Sequence, residues 1–136
     1  MMKKIMKAIA VIAIFVVTGS APVTLAYADK TDTDTVSVIF THDMHSHLDE
    51  FAKLKTAMDD VKDEYPDSFV LDAGDFAMGT PYQVTFSQQA SELKMMDYLG
   101  YDAAALGNHE FDYRALGLAG MLDAAKGLDV QISCAN

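Results

Sequence analysis

Four short apolar segments alternate with three stretches of helical periodicity along residues 36–133. The apolar segments are residues 36–40, 68–71, 101–106 and 130–133. In residues 48–65, 87–99 and 114–126, apolar side chains recur every three or four positions, as on one face of a helix. Pro66 and Gly100 follow the first two of these stretches and are typical of helix ends. The β-α-β-α-β-α-β order predicts an α/β fold with a mainly parallel sheet and helical crossovers.

The first 28 residues have the pattern of a secretory signal peptide. Three lysines form a basic start, an apolar run covers residues 8–17, and residues 26–28 read Ala-Tyr-Ala, which is typical of a cleavage site. The apolar run is about half as long as the roughly 20 residues that span a bilayer, so we expect no stable membrane insertion after cleavage. An uncleaved N-terminal anchor is the alternative interpretation. We therefore predict an extracytoplasmic protein with a signal peptide (1–28), a flexible leader (29–35) and one domain (36–136).

The net charge of the chain excludes one class of function, and its cysteine content bears on one side chain. Residues 29–136 carry 20 acidic and 7 basic side chains, a net charge of −13 with histidine neutral. A nucleic-acid-binding groove needs the opposite sign, so we exclude that class. Most of the acidic residues are expected to be solvated surface. Cys134 is the single cysteine; it lies in an apolar stretch, and we expect a small buried side chain.

Polar side chains follow each of the first three predicted strands. Asp43 and His45 follow the first strand, Asp75 follows the second, and Asn108 and His109 follow the third. Because parallel strands end at the same edge of a sheet, and because ligands bind at that edge, we expect these side chains to converge. All 4 histidines of the chain lie in the first and third of these loops. The sequence therefore predicts one ligand site built from three loops.

The residue types at this edge suit metal-assisted hydrolysis. Asp43 and His45 can hold one ion together, and the two oxygens of Asp75 can bridge two ions about 3.5–4 Å apart. Asn108 can bind the second ion through its oxygen without adding charge. Two such ions would polarise a phosphoryl group and activate a water as the nucleophile. Oxygen and nitrogen ligands of this mixture accept Zn, Mn, Fe or Co.

His109 is the candidate for proton transfer. Asp112, three residues later, can accept a hydrogen bond from one ring nitrogen and fix the tautomer. His109 would then stabilise the leaving group or the transition state. Taken alone, the stretch from Gly107 to Asp112 has a simpler interpretation, a turn in which Gly and Asn are used for their backbone tolerance.

Three segments of the chain resemble the calcineurin-like metallophosphoesterases. They are Thr-His-Asp-Met-His-Ser-His-Leu-Asp at 41–49, Leu-Asp-Ala-Gly-Asp at 71–75 and Leu-Gly-Asn-His-Glu-Phe-Asp at 106–112. The resemblance covers residues 36–136 and is closer to the secreted 5′-nucleotidase branch. It implies the first half of an αββα sandwich, a nucleotide substrate and a site with two divalent ions. It implies Asp43, His45, Asp75 and Asn108 as metal ligands, with His109 and Asp112 as the catalytic dyad.

The chain departs from the family pattern in several places. His42 stands where many relatives have asparagine, so we give it no ligand role, and we expect His47 to be a loop residue near the site. The family has further histidines downstream, one alone and two in a Gly-His-x-His pattern, whereas none follows His109 here. We therefore expect the first part of a longer enzyme, whose C-terminal portion completes the site. Our hypothesis is that these residues alone bind metal weakly and turn over poorly.

Two alternatives to the 5′-nucleotidase interpretation remain at this point. Cyclic-nucleotide phosphodiesterases and nucleotide-sugar hydrolases of the same family share these motifs, so the substrate is less well defined than the reaction type. The alternative of a different class is a secreted metal-binding or interaction module without turnover.

Overall fold

The computed structural model describes residues 9–13 and 36–134 of the protein. Its five strands form one parallel sheet in which the spatial order is the sequence order. The strands are β1 (Ile9–Ala13), β2 (Val36–Thr41), β3 (Phe69–Asp72), β4 (Ala103–Ala105) and β5 (Gln131–Ser133). The predicted α/β class, with a parallel sheet and helical crossovers, is confirmed.

Helices connect the strands of this sheet. They are α1 (Phe51–Glu64), α2 (Phe86–Gln89), α3 (Ser91–Leu99) and α4 (Arg114–Ala124), with short 3₁₀ helices at Leu48–Glu50, Pro81–Thr85 and His109–Phe111. A right-handed crossover between neighbouring parallel strands returns on the same side each time. Because the strand order never reverses, the crossovers between β2 and β5 lie over one face of the sheet. Helix α1 buries Phe51, Leu54, Met58 and Val61 there.

The helix predicted over residues 87–99 is divided in two, which corrects that prediction. Ala90 has a left-handed backbone, φ +47° and ψ +46°, and separates α2 from α3. Both Phe86 and Ala90 are fully buried, and the Phe86 ring stacks on Tyr113 at a centroid distance of 5.8 Å. The change of direction at Ala90 therefore lets α2 pack towards α4 while α3 follows the sheet. Periodicity alone cannot detect such a break, because the apolar residues continue across it.

The two faces of the sheet differ in burial. On the face covered by the helices, Ile39, Val70 and Ala104 are at most 1% exposed. The strands place Val36 and Phe69 on the other face, where they are 45% and 52% exposed. Parallel sheets usually have both faces covered. Within the described part of the chain, only one face has helices over it.

Strand β1 lies in the apolar run that the sequence assigns to a signal peptide. Its backbone pairs with β2 in parallel, from Ile9 beside Val36 to Ala13 beside Phe40. β-branched and apolar residues are favoured in strands as well as in signal peptides. The rest of residues 1–28 lies outside the described residues, so the signal peptide and the leader stay predictions. None of the described helices is long and apolar enough to cross a bilayer.

Cys134 is exposed, so the prediction of a buried thiol is wrong. It directly follows β5, the last strand of the sheet order. Both Gln131 and Ser133 of that strand are exposed. An edge strand is covered by a neighbour on one side only, and the apolar neighbours of Cys134 in the sequence therefore do not enclose it.

Candidate active site

Three loops leave the carboxyl ends of β2, β3 and β4, and we name them the first loop (42–47), the second loop (73–80) and the third loop (106–112). Backbone hydrogen bonds join the first loop to the second. They run from Asp43 N to Gly74 O at 3.0 Å, from His45 N to Asp75 O at 3.0 Å and from Ser46 N to Phe76 O at 2.8 Å. The two loops therefore run side by side, which brings the predicted ligands of β2 and β3 together.

Several non-glycine residues of the first and second loops have a left-handed backbone. They are Asp43, His45, Ser46, Asp75 and Met78, with φ between +47° and +65°. Each such residue costs on the order of 1–3 kcal/mol and persists only where its surroundings enforce it. Strained residues of this kind cluster at functional sites. Two of the five, Asp43 and His45, are predicted ligands of the first loop, and Ser46 directly follows His45.

Asp43 and His45 are placed to share one cation. Asp43 Oδ1 and His45 Nε2 are 3.6 Å apart, and two ligands at about 2.0–2.2 Å from a tetrahedral ion are separated by about 3.4 Å. On its other oxygen, Asp43 contacts His42 Nδ1 at 2.5 Å. This hydrogen bond lowers the pKa of Asp43, so its carboxylate is ionised at neutral pH. His42 is thus a neighbour of the candidate ligand, although the sequence gives it no role.

Asp75 connects the second loop to the third. Its Oδ1 accepts a hydrogen bond from His109 N at 2.8 Å. The Asn108 side-chain amide lies beside Oδ2, and its nitrogen donates to that oxygen at 3.2 Å. A half-turn of the amide would present its oxygen instead, which is the ligand atom that a hard cation takes from asparagine. The donor set therefore fits a second ion between Asp75 and Asn108.

His109 lies between these candidate ligands and Asp112. Its Nδ1 contacts Asp112 Oδ2 at 2.8 Å, and this hydrogen bond raises the pKa of His109. The rings of His109 and His45 meet edge to face with their centroids 4.9 Å apart. An open pocket of about 390 Å³ adjoins both rings and is also lined by Met78, Gly79, Gln83, Asp112 and Tyr113. The predicted dyad thus forms the wall of a cleft.

Close backbone approach holds the second and third loops together. A Cβ on Gly74 would lie 2.6 Å from Gly107 N, and a Cβ on Gly107 would lie 2.5 Å from Asp75 N. Real Cβ atoms are not found at such distances, so these positions require glycine. The glycine of the third loop is therefore needed for the approach of Asp75, beyond its tolerance for turns.

Glu110 is a residue whose contribution the sequence analysis missed. Its side chain is fully buried and accepts three backbone hydrogen bonds, from Gly107 N at 2.7 Å, Ala77 N at 2.9 Å and Asp75 N at 3.0 Å. Burial raises the pKa of Glu110. The carboxylate thus joins the second and third loops directly below Asp75 and Asn108. In the sequence, only its position between His109 and Asp112 pointed to a role for Glu110. The residue type alone did not identify its hydrogen-bond partners.

A second buried acid lies where the first and second loops begin. Asp72, the last residue of β3, accepts hydrogen bonds from Thr41 Oγ1 at 2.6 Å and from Gly74 N at 2.9 Å. Thr41 Oγ1 also contacts the Tyr101 hydroxyl at 2.8 Å. Burial raises the pKa of Asp72 to about 6. This network fixes the ends of β2 and β3, where the first and second loops begin.

The structure thus brings Asp43, His45, Asp75, Asn108 and His109 to one edge of the sheet, as the strand ends predict. His47 lies apart from this group and faces Asp49, with 3.9 Å between Nδ1 and Oδ1. Among the described residues, no three His, Cys, Asp or Glu side chains form a cluster that could hold a metal ion. The metal-ligand and catalytic roles of the named residues therefore stay predictions.

The family profile described as calcineurin-like phosphoesterase matches residues 36–130, which is most of the chain. The chain belongs to the calcineurin-like phosphoesterase family.

Relatives within this family have nucleotide-related names. A trifunctional nucleotide phosphoesterase protein of Bacillus subtilis, YfkN, is 43% identical over 77 residues, which are 57% of this chain and 5% of that protein. A 5′-nucleotidase of Rattus norvegicus is 33% identical over 105 residues, covering 65% of this chain and 18% of that protein. The solved structure of the Haemophilus influenzae NAD nucleotidase NadN matches with a TM-score of 0.65 at 25% identity, over 74% of this chain and 20% of that one. The chain thus spans about a fifth or less of these relatives.

Proposed function

We propose that this chain forms the N-terminal part of a metal-dependent phosphoesterase that hydrolyses nucleotide phosphate esters, as a 5′-nucleotidase does. The observation that carries the proposal is the convergence of Asp43, His45, Asp75 and Asn108 around His109, in a chain of the calcineurin-like phosphoesterase family. The names of its relatives support a nucleotide substrate. Export to an extracytoplasmic compartment, through residues 1–28, is part of the proposal.

Two divalent ions would occupy the edge of the sheet. Asp43 and His45 would hold one ion and Asn108 the other, and Asp75 would hold both through its two carboxylate oxygens. When bound, the ions supply Lewis acidity to the phosphoryl group and activate a water. Asp43, His45 and Asp75 also share a left-handed backbone, a strained conformation that clusters at functional sites and supports this assignment.

His109 would act on the leaving group. Because Asp112 accepts the hydrogen bond from Nδ1, Nε2 is the ring atom left for the substrate. The raised pKa of His109 favours the protonated ring, which can donate a proton or a hydrogen bond to the departing oxygen. The backbone bond from His109 N to Asp75 Oδ1 fixes the distance between this ring and the shared carboxylate.

Phosphate release tests the proposal directly. The purified chain is incubated with 5′-AMP and Mn²⁺, and phosphate is measured over time. We expect slow release that stops with EDTA and falls at least tenfold in His109→Ala. The rate should be low because four protein side chains are few for two ions, each of which takes at least four ligands. The matched control is His47→Ala, a histidine that faces Asp49 instead of the site.

The outcomes distinguish a phosphoesterase from a metal-binding protein without turnover. Metal uptake measured by calorimetry, without phosphate release under any condition, would leave a metal-binding protein and refute the hydrolase. Equal losses in His109→Ala and His47→Ala would refute the role of His109. Release at rates typical of complete enzymes would contradict the expectation that the described residues form only part of the site.

A further inference from the structure

A buried glutamate outside the predicted site contacts the first loop. Glu92 belongs to α3 and is fully buried. Its Oε1 accepts a hydrogen bond from Ser46 Oγ at 2.6 Å, whereas its Oε2 has no hydrogen-bond partner among the described residues. Burying a carboxylate is costly unless it is fully hydrogen-bonded. An acid in this position therefore calls for an explanation beyond the packing of α3.

Ser46 is the point at which α3 contacts the first loop. Its side chain is fully buried, and its backbone has a φ of +54°. Every polar group of Ser46 is bonded: its N donates to Phe76 O at 2.8 Å, its O accepts from Thr80 Oγ1 at 2.7 Å, and its Oγ donates to Glu92. A strained residue persists only when its surroundings enforce it. These three bonds, two with the second loop and one with α3, provide that enforcement.

The strain at Ser46 extends to the candidate ligand before it. His45 has a φ of +47°, and its ring is directed towards Asp43 and His109. Two consecutive left-handed residues turn the chain so that His45 faces the site while Ser46 points into the core. His45 is also held directly, through its N to Asp75 O at 3.0 Å and its Nδ1 to Met78 O at 3.1 Å. Loss of the Ser46 acceptor would therefore loosen the left-handed turn and shift His45 relative to Asp43 without releasing it.

We propose that Glu92 is a positioning residue of the metal site, which holds His45 in place through Ser46. This inference rests on the proposed function, because it assumes that His45 and Asp43 bind an ion. Glu92 does not touch the ion or the substrate in this assignment. It acts as residues behind metal ligands do, by limiting the orientations that the ligand can adopt.

Metal affinity tests the inference. Mn²⁺ binding to the full chain is measured by calorimetry in the wild type, Glu92→Leu, Glu92→Gln and Ser46→Ala. Loss of a residue that orients a ligand typically lowers metal affinity by about 10–100-fold. We expect a loss of at least tenfold in Glu92→Leu and Ser46→Ala. In Glu92→Gln, the amide oxygen can still accept from Ser46, so most of the affinity should return.

The control is a buried serine pair far from the site. Ser68 Oγ donates to Ser37 Oγ at 2.8 Å near the start of β2, and each residue is 7% exposed. Ser37→Ala should also lower the midpoint of urea unfolding, because it removes a buried hydroxyl bond. The decrease should be smaller than in Ser46→Ala, which leaves the Glu92 carboxylate without its donor. Ser37→Ala should leave the affinity for Mn²⁺ unchanged.

Each outcome supports or overturns one of the two proposals. If the wild type binds Mn²⁺ and Glu92→Leu and Ser46→Ala bind it equally well, the positioning role is wrong and the proposed function stands. If Ser37→Ala loses as much affinity as Ser46→Ala, the effect is one of stability, and the positioning role is again overturned. If the wild type itself binds no Mn²⁺, the proposed function fails and the inference fails with it.

Discussion

The first and third loops carry candidate ligands at the same edge of the sheet, yet they are held in different ways. The third loop contains its own anchor, because Glu110 accepts hydrogen bonds from Gly107 N within the loop and from Asp75 N and Ala77 N beside it. The first loop is anchored from outside, through Ser46 and Glu92 of α3. The third loop is thus a local motif, whereas the geometry of the first loop depends on the tertiary structure.

This difference predicts how each loop responds to change. A local anchor that serves two loops should affect folding as a whole when it is lost, since its three donors are buried together. A distant anchor that makes one hydrogen bond should affect mainly the orientation of one side chain.

Removal of Glu110 should have the largest effect. In Glu110→Ala, three backbone N–H groups lose their acceptor in a buried setting, and each such group costs about 1–3 kcal/mol. We expect the free energy of unfolding to fall by about 4 kcal/mol or more, measured by urea denaturation with circular dichroism. Glu110→Gln keeps one acceptor oxygen and should lose less.

The matched control for this variant is Asp60→Ala, on an exposed position of α1. Surface substitutions of this kind change stability by about 0.5 kcal/mol or less. Similar losses at Glu110 and Asp60 would show that the Glu110 carboxylate does not join the two loops.

The network around Asp72, where the first and second loops begin, should make the stability of the protein depend on pH. Asp72 has a pKa raised to about 6 by burial, so the folded state binds its proton more tightly than the unfolded chain does. Stability from this group is therefore present in full below the unfolded pKa and is lost as the pH rises to about 6. A shift from 3.8 to about 6 corresponds to about 3 kcal/mol.

The comparison of wild type with Asp72→Asn isolates this contribution. Burial also raises the pKa of Glu92 and Glu110, and both proteins share those groups. Urea midpoints are measured at intervals from pH 4 to pH 7. We expect the stability of the wild type relative to Asp72→Asn to fall as the pH rises. A difference that stays constant across this range would rule out a raised pKa at Asp72.

Features that depend on local sequence could be predicted, whereas features that depend on distant partners could not. The parallel sheet follows from alternating apolar and periodic segments, and the convergence of Asp43, Asp75 and Asn108 follows from their places after three strands. The break at Ala90 was not predictable, because the apolar periodicity continues through it. Glu92 left a weak signal: it lies four and seven positions before Met96 and Leu99, on the buried side of α3.

The side-chain contacts that the sequence did not predict join residues far apart in the chain. Ser46 and Glu92 are 46 positions apart, and Glu110 reaches Asp75 across 35. A periodicity identifies the buried side of one helix but does not identify what the helix meets. The prediction that Cys134 is buried is wrong for the same reason, because its exposure depends on β5 being an edge strand among the described residues.

The smallest expected effect concerns the exposed pair His109 and Asp112. The hydrogen bond to Asp112 raises the pKa of His109, so Asp112→Asn should lower that pKa and leave less protonated ring at neutral pH. Stability should change by about 0–1 kcal/mol, as for other exposed ion pairs. The pKa is followed by the ring proton signals of His109 in an NMR titration from pH 5 to pH 9.

Asp49→Asn provides the control for this titration, because Asp49 and Asp112 are similarly exposed, at 58% and 51% of their side chains. Asp49→Asn should leave the pKa of His109 unchanged. If both variants shift His109 equally, the raised pKa reflects the overall negative charge of the chain and not the bond to Asp112. The third loop would then orient the His109 ring without changing the pKa of that ring. Its anchor, Glu110, would fix the position of the loop only.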